Sequence, residues 1–372
     1  MNQPIDEPSE GAPDPDSIVK HRKQLLGAVD FSTWSSRLAR FMASQSGFSG
    51  DVEISDIRLP SAGGSSGTLI FSAAYNQGTG RLKRDFVLRY ATEGGLFHSY
   101  NLPGQYSILE ALHGTGVPVP GIAGIDADGK ILGVIGYVME RVDGDTAPSS
   151  YHKLGLFCDA SPENRKRMVF EIVAALAKLH ALDYRAPGLA FLLKRGKGAT
   201  ALERDLDWHW SSLCWGCPNE MANLEPIRHW LLQNQPRETQ VALNHGDTMM
   251  ANYMFKDGRL VAILDWELAF IGNPAADLAH QVQTHAFLAL GGEALAGFPS
   301  EQEWIAEYAR ASGRKLLDWE YFGAVAAFKL HIDLLLVYRE VTPDMEAARN
   351  AVRAYTWQNL TDRLAAAKNG RR

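Results

Sequence analysis

Apolar residues change their period along this chain, and the changes divide it. Leu25, Leu26, Val29, Trp34, Leu38 and Phe41 recur at helical spacing, so an amphipathic helix is predicted there, with Gly47 near its end. Strand character follows. Val52, Ile54 and Ile57 alternate loosely with polar residues, and Thr68-Leu69-Ile70-Phe71 and Asp85-Phe86-Val87-Leu88-Arg89-Tyr90 are β-prone runs. Ser61-Ala62-Gly63-Gly64-Ser65-Ser66-Gly67 and Asn76-Gln77-Gly78-Thr79-Gly80 separate them as turns. Residues 50–90 therefore read as strand, Gly-rich turn, strand, turn, strand. A short helix is predicted over 105–113, stopped by Gly114 and Gly116, and Val117-Pro118-Val119-Pro120 is an extended connector. The apolar run 133–139 is a further strand. Beyond it the period is helical: 164–182 carries Met168, Ile172, Ala175, Leu176 and Leu179 on one stripe, and 321–338 forms another long helix. No repeat of 20–50 residues is present.

Length and composition sharpen this division. The chain has 372 residues, too many for one ordinary domain of roughly 100–200, so two lobes are expected. The boundary falls near 141–146: a β-rich lobe over 18–142 and a helical lobe over 143–372. Residues 1–17 are acidic and Pro-rich without an apolar core, so they read as a disordered tail and not as a secretory signal. No run approaches the roughly 20 apolar residues of a membrane helix. A net charge of -6 argues against a nucleic-acid partner, and 3 Cys point to a reducing compartment. The expected place is the cytoplasm.

The chemistry concentrates in one stretch. His245-Gly246-Asp247 lies on a predicted loop, and Asn252 opens a strand. Lys256-Asp257-Gly258 is its turn, and the returning strand ends at Asp265-Trp266-Glu267. A hairpin of that length sets Asn252 beside Asp265, with Asp247 just beyond. Two carboxylates and an amide, without His or Cys, suit a hard cation such as Mg²⁺. A separate Asp suits a hydroxyl that must be oriented and lose its proton. Phosphoryl transfer needs both parts and a cation on the phosphates.

These residues, with Gly272-Asn273-Pro274-Ala275-Ala276-Asp277, resemble the aminoglycoside phosphotransferase family, over about 50–360. Phe86-Val87-Leu88-Arg89, Gly116-Val117-Pro118-Val119-Pro120, Tyr137-Val138-Met139-Glu140 and Leu179-His180-Ala181 are most similar to the kinase-like domain fused to some acyl-CoA dehydrogenases, and to its free-standing bacterial relatives. The resemblance implies a bilobal, protein-kinase-like α+β fold, with an antiparallel β lobe, a larger helical lobe and ATP between them. It implies Asp247 as catalytic base and Asn252 and Asp265 as Mg²⁺ ligands. Gly63, Gly64, Ser65, Ser66 and Gly67 would cover the phosphates and Arg89 would hold them. Met139, Glu140 and Arg141, within a hinge over 137–142, would receive adenine through the backbone. His245 and Asp277 would shape the catalytic loop. Three features depart from the pattern. The phosphate cation is Arg89 rather than Lys. Its helix partner is Gln105 rather than Glu, since Glu110 would point about 140° away. Gly67 stands where related chains often carry Asn.

The implied function is ATP- and Mg²⁺-dependent transfer of a γ-phosphoryl group to a small-molecule hydroxyl. The acceptor is a hydroxyacyl-CoA-like metabolite or an aminoglycoside-like compound. Arg204, Arg228 and Lys329 among the helical segments favour the former over a polycation. A nucleotide-binding pseudokinase with a regulatory role is the alternative. A protein kinase fits less well, because the chain lacks His-Arg-Asp, Asp-Phe-Gly and Ala-Pro-Glu elements. Cys214-Trp215-Gly216-Cys217 has no second Cys pair and reads as two ordinary thiols. Trp208, Trp210, Trp215 and Trp230 serve equally as pocket wall or core. Lys329 and His331 read as a packing face of their helix, and Glu267 as a structural acid.

Overall fold

The computed structural model describes residues 33–60, 67–78, 80–92, 95–148, 150–289 and 295–370. The expected tail, the first half of the first helical stripe and Gly63, Gly64, Ser65 and Ser66 lie outside these residues.

The β-rich part is one antiparallel sheet. β1 (Ser49–Arg58), β2 (Gly67–Gln77), β3 (Gly80–Tyr90), β4 (Ile122–Asp126) and β5 (Gly136–Glu140) lie in the order β1-β2-β3-β5-β4. Alternation gives the sheet two different faces. Leu69, Phe71, Ala73, Phe86, Leu88 and Val138 form one, and pack on Trp34, Leu38, Phe41 and Met42 of α1 (Trp34–Ala43). Thr68, Ile70, Val87, Arg89, Tyr137 and Met139 form the other, through the pairs Thr68 with Arg89, Ile70 with Val87, Arg89 with Tyr137 and Val87 with Met139. Tyr137 and Met139 join the core of the helical part, so this second face looks across at it.

α2 (Leu102–Leu112) starts where Asn101 accepts the Gly104 N–H at 2.9 Å. The helical part then follows its own start signals. Ser161 and Pro162 open α3 (Pro162–Leu179), and Thr200 with Glu203 makes a capping box on α4 (Ala201–Gly216). After α5 (Met221–Gln233), Asn273 and Pro274 open α6 (Pro274–Leu288), and Ser300 with Glu303 caps α7 (Glu301–Ser312). α8 (Trp319–Val337) and α9 (Glu346–Asn369) close the chain. α8 is buried nearly all round, which is why its sequence shows so little polar face. Among the described residues no helix is long and apolar enough to cross a membrane.

Short strands stitch the helical part to the chemistry. β7 (Ala242–Asn244) pairs with β10 (Phe270–Gly272), and β6 (Asp145–Thr146) joins the hairpin of β8 (Tyr253–Lys256) and β9 (Arg259–Ile263). The expected hairpin is present, with Tyr253 opposite Ile263 and the Leu264 N–H on the Asn252 carbonyl at 2.8 Å.

His331 of α8 is buried against Thr356 of α9 at 2.6 Å, and burial lowers its pKa to about 4. Unfolded His titrates near 6.5, so the unfolded chain binds this proton first as pH falls. Stability from His331 is complete above about pH 6.5 and is lost towards pH 4. In urea unfolding, the advantage of wild type over His331→Gln should shrink between pH 7 and pH 4 by on the order of 3 kcal/mol. A constant gap refutes the assignment.

Candidate active site

The pairing of β7 with β10 closes a loop. Phe270 lies opposite Asn244, so the residues after Asn244 and those before Phe270 must meet. These are His245-Gly246-Asp247 and Asp265-Trp266-Glu267. Gly246 has φ of 85°, and a Cβ there would sit 2.1 Å from the Leu268 carbonyl oxygen. Only glycine fits that close approach.

One carboxylate sets the loop's shape. Asp277, in the first turn of α6, accepts the His245 N–H at 2.7 Å and the Gly246 N–H at 2.8 Å. His180 Nε2 reaches it at 3.1 Å, and His180 Nδ1 meets the Tyr308 hydroxyl at 2.9 Å. Burial raises the Asp277 pKa, but the His180 hydrogen bond and charge outweigh it and hold the group below the usual carboxylate range. His245 Nδ1 accepts the Asp247 N–H at 3.2 Å, so Nε2 carries the proton and donates to the Leu264 carbonyl at 2.8 Å. The imidazole thereby ties Asp247 to the end of β9, one residue before Asp265.

Asn252 Nδ2 donates to the Asp247 carbonyl at 2.9 Å and to Asp247 Oδ2 at 2.8 Å. With the amide so oriented, Asn252 Oδ1 is left for another ligand. Burial, and after it the Asp265 charge, pushes the Asp247 carboxyl up to about 7, against the Asn252 hydrogen bond. Asp265 takes a left-handed backbone, φ 61°, which Asp tolerates better than most residues. Asp247, Asn252 and Asp265 are thus together, as their spacing predicts. Their oxygens fit a hard divalent ion that takes its remaining ligands from phosphate and water.

Arg89 meets this group from the sheet. Its Nη2 lies 3.1 Å from Asp265 Oδ1 and 3.8 Å from Glu267 Oε2, and Nη1 is 3.4 Å from Thr68 Oγ1. Burial opposes its charge, but Asp265, Tyr137 and Glu267 outweigh burial and raise its pKa. Two expectations need correction here. Gln105 is not the partner of Arg89: it is buried, and its Oε1 accepts from the Tyr137 hydroxyl at 3.3 Å. The acidic partners come from the far side, as Asp265 and Glu267, so Glu267 belongs to the site's charge balance. The reason is topological: the second sheet face looks across at Asp265, and α2 offers no acid at position 105.

The hinge also differs in detail. The Glu140 N–H donates to the Gly121 carbonyl at 2.7 Å and the Arg141 N–H to the Asp85 carbonyl at 3.0 Å. Their side chains pair with Arg84 and Asp85. Neither N–H is free for adenine, which leaves Met139 on the cleft face and the hinge carbonyls. Gly67 opens β2 opposite Tyr90, and a Cβ there would meet the Tyr90 ring at 2.4 Å. Any larger residue at 67 would therefore require the Tyr90 ring to move.

Other residues singled out earlier fall elsewhere. Cys214 and Cys217 are free thiols, with burial raising the pKa of both. Trp208 is buried, whereas Trp215 is exposed. His331 packs between helices, and Lys329 pairs with Asp205 at 2.8 Å. Sequence reading assigned no role to His180 or Arg195. Both are far in sequence from what they hold.

Comparison with known proteins gives the family and the fold. The profile of the phosphotransferase enzyme family matches residues 70–322. Acyl-CoA dehydrogenase family member 11 of Homo sapiens is 30% identical over 66% of this chain and 32% of its own. Probable acyl-CoA dehydrogenase IBR3 of Arabidopsis thaliana is 28% identical over 68% of this chain and 33% of its own. The chain thus spans about one third of the length of the curated relatives it matches. Among solved structures, a Ralstonia eutropha protein provisionally named an aminoglycoside phosphotransferase aligns with a TM-score of 0.68 and 22% identity, covering 90% of this chain and 98% of its own. A Plasmodium vivax ethanolamine kinase aligns at 0.55 and 14%, covering 82% of each chain. The fold is the bilobal kinase-like one.

Replacing Gly246 by Ala should force the loop off the Leu268 carbonyl and strain a positive φ. We expect a loss of about 2 kcal/mol or more in urea unfolding. Wild-type stability would mean that the loop does not depend on this close approach.

Proposed function

The chain belongs to the phosphotransferase enzyme family, and from that premise we propose that it is a small-molecule kinase using ATP and Mg²⁺. The observation that carries this reading is the grouping of Asp247, Asn252 and Asp265 under Arg89.

Asp247 would receive the acceptor hydroxyl and take its proton as the oxygen attacks the γ-phosphorus. Its carboxyl sits in a buried place whose neighbours raise its basicity. Asn252 turns its amide nitrogen on Asp247 and so keeps that carboxylate aimed, which would leave Oδ1 for the metal. Asn252 Oδ1 and Asp265 would hold Mg²⁺, which would supply charge neutralisation to the phosphates. Arg89 would leave its pairing with Asp265 to meet the phosphates, and Glu267 would keep it near. Gly64, Ser65, Ser66 and Gly67 would cover the phosphates. Val87, Ile70 and Met139 offer an apolar seat for adenine, with the hinge carbonyls as acceptors. Gln105 would act through Tyr137, as a positioning residue.

For the acceptor we favour an acyl-bearing alcohol over an aminoglycoside. A polycation needs ionised acids in excess, yet Arg195 and Lys329 stand on the acceptor side and Lys329 already occupies Asp205. The cytoplasm is the proposed location. A regulatory nucleotide-binding module is the second reading; the direct Arg89–Asp265 pair at 3.1 Å favours it, since a phosphate must displace that contact.

ADP release should be measured against hydroxyacyl-CoAs and aminoglycosides, with wild type beside Asp247→Asn. Acceptor-dependent ADP that falls at least a thousandfold in the variant is expected, with AMP-PNP binding retained. ATP binding with no acceptor-dependent ADP across the panel would favour the regulatory module. Kanamycin should not be phosphorylated; robust turnover of it would refute the acceptor assignment.

A further inference from the structure

Next to the catalytic loop lies a second charged cluster that the phosphoryl-transfer chemistry leaves unused. α4 and α8 face each other across it. Asp205 and His209 are one turn apart on α4, and Lys329 and Asp333 one turn apart on α8. Lys329 Nζ is 2.8 Å from Asp205 Oδ2 and 3.9 Å from the centre of the Phe270 ring. Both partners are buried, so this pair cancels its own charge. His209 Nδ1 donates to the Asp205 carbonyl at 2.9 Å, which leaves Nε2 as a bare lone pair. That nitrogen lies 3.9 Å from Asp333 Oδ1, too far for a hydrogen bond.

Arg195 completes the cluster. Its guanidinium lies over the Trp208 ring, 3.9 Å from the centre, and Nη1 donates to the carbonyls of Leu268 and Ala269 at 2.7 and 2.8 Å. Arg195 Nη2, His209 Nε2 and Asp333 Oδ1 have no hydrogen-bond partner among the described residues. Each such atom is unfavourable when buried, unless a ligand satisfies it. His209 is fully buried, whereas Asp333 keeps 13% of its side chain exposed and is the member of the cluster nearest to solvent.

The cluster adjoins the loop that carries Asp247. The Leu268 carbonyl that takes Arg195 is the one on which Gly246 rests. The Asp333 charge also reaches Asp247.

We propose that Arg195, His209 and Asp333 anchor the acceptor by a carbonyl group that stands beside an N–H or O–H. The carbonyl oxygen would accept from Arg195 Nη2. The neighbouring N–H or O–H would donate to His209 Nε2 or Asp333 Oδ1. The acceptor is then an alcohol that also carries a carboxamide, or a carboxylic acid bound with its proton. The charges agree. Lys329 is cancelled, Arg195 stays a cation, and burial pushes Asp333 up to about 7, so the site lacks the negative excess an ammonium group needs. The anchor rests on the reading of Asp247 as the residue that receives the hydroxyl.

The test uses the full chain with AMP-PNP and Mg²⁺. Hydroxycarboxamides, hydroxycarboxylates and amino alcohols of four to eight carbons are titrated calorimetrically, and ADP release from ATP is followed for each. The amides or the acids should bind, the amino alcohols should not, and the two carbonyl series decide between the sources. Asp333→Asn and Arg195→Lys should each raise the Kd of the bound series at least tenfold, with the Kd of AMP-PNP within twofold. Arg195→Lys also touches the Leu268 turn, so Asp333→Asn decides if that variant melts early. Binding that is lost in the variants without any ADP release would refute the kinase reading and keep the anchor. Tight binding of amino alcohols, unchanged affinity in Asp333→Asn, or no binding of either carbonyl series would overturn the anchor.

Discussion

The candidate site depends on one buried carboxylate. Asp277 is 1% exposed, and it spends its oxygens on two successive backbone N–H groups and one imidazole. Because its main bonds go to backbone, it sets where Asp247 stands without regard to the side chains between. An ion so buried is stable only when fully partnered. His180, itself held by Tyr308, completes that partnership, so α3, α6 and α7 all converge on one loop. The His245 imidazole then carries the order onwards to the end of β9.

Arg89 plays the corresponding part between the lobes. It stands on the sheet but its charge is answered by Asp265 and Glu267, so the resting contact crosses the cleft. A nucleotide would have to enter between groups that already attract each other. The guanidinium suits that exchange, because its fork can leave a carboxylate and take a phosphate with the same geometry.

The acceptor side is built differently. Around Asp247, the committed polar atoms go to backbone and to neighbouring side chains. Around Arg195, Asp205, His209 and Asp333, one buried polar atom of each has no hydrogen-bond partner among the described residues. Such atoms are unfavourable when buried, so their grouping beside the catalytic loop is what the proposed anchor rests on.

Much of this was legible in the order of residues. Local patterns declared four of the five strands of the sheet, β4 (Ile122–Asp126) being the one missed, and the hairpin from Asn252 to Asp265, because alternation and turn chemistry act over a few neighbours. The spacing of Asp247, Asn252 and Asp265 was enough to bring them together, since a hairpin's register follows from its length. What remained hidden were contacts between distant elements. Gln105 looked like the partner of Arg89 by its place on a helix, yet Tyr137 takes it and Asp265 takes Arg89. The hinge amides of Glu140 and Arg141 looked free and are spent on Gly121 and Asp85. The i, i+4 pairs Asp205 with His209 and Lys329 with Asp333 were visible in sequence, but only the packing of α4 on α8 shows that the two pairs face each other. Sequence alone thus determined the local elements and the catalytic hairpin, whose forces act between near neighbours. Tertiary structure alone decided which charges meet, because an ion pair or a buried lone pair depends on distance in space and on exclusion of water, and neither is written along the chain.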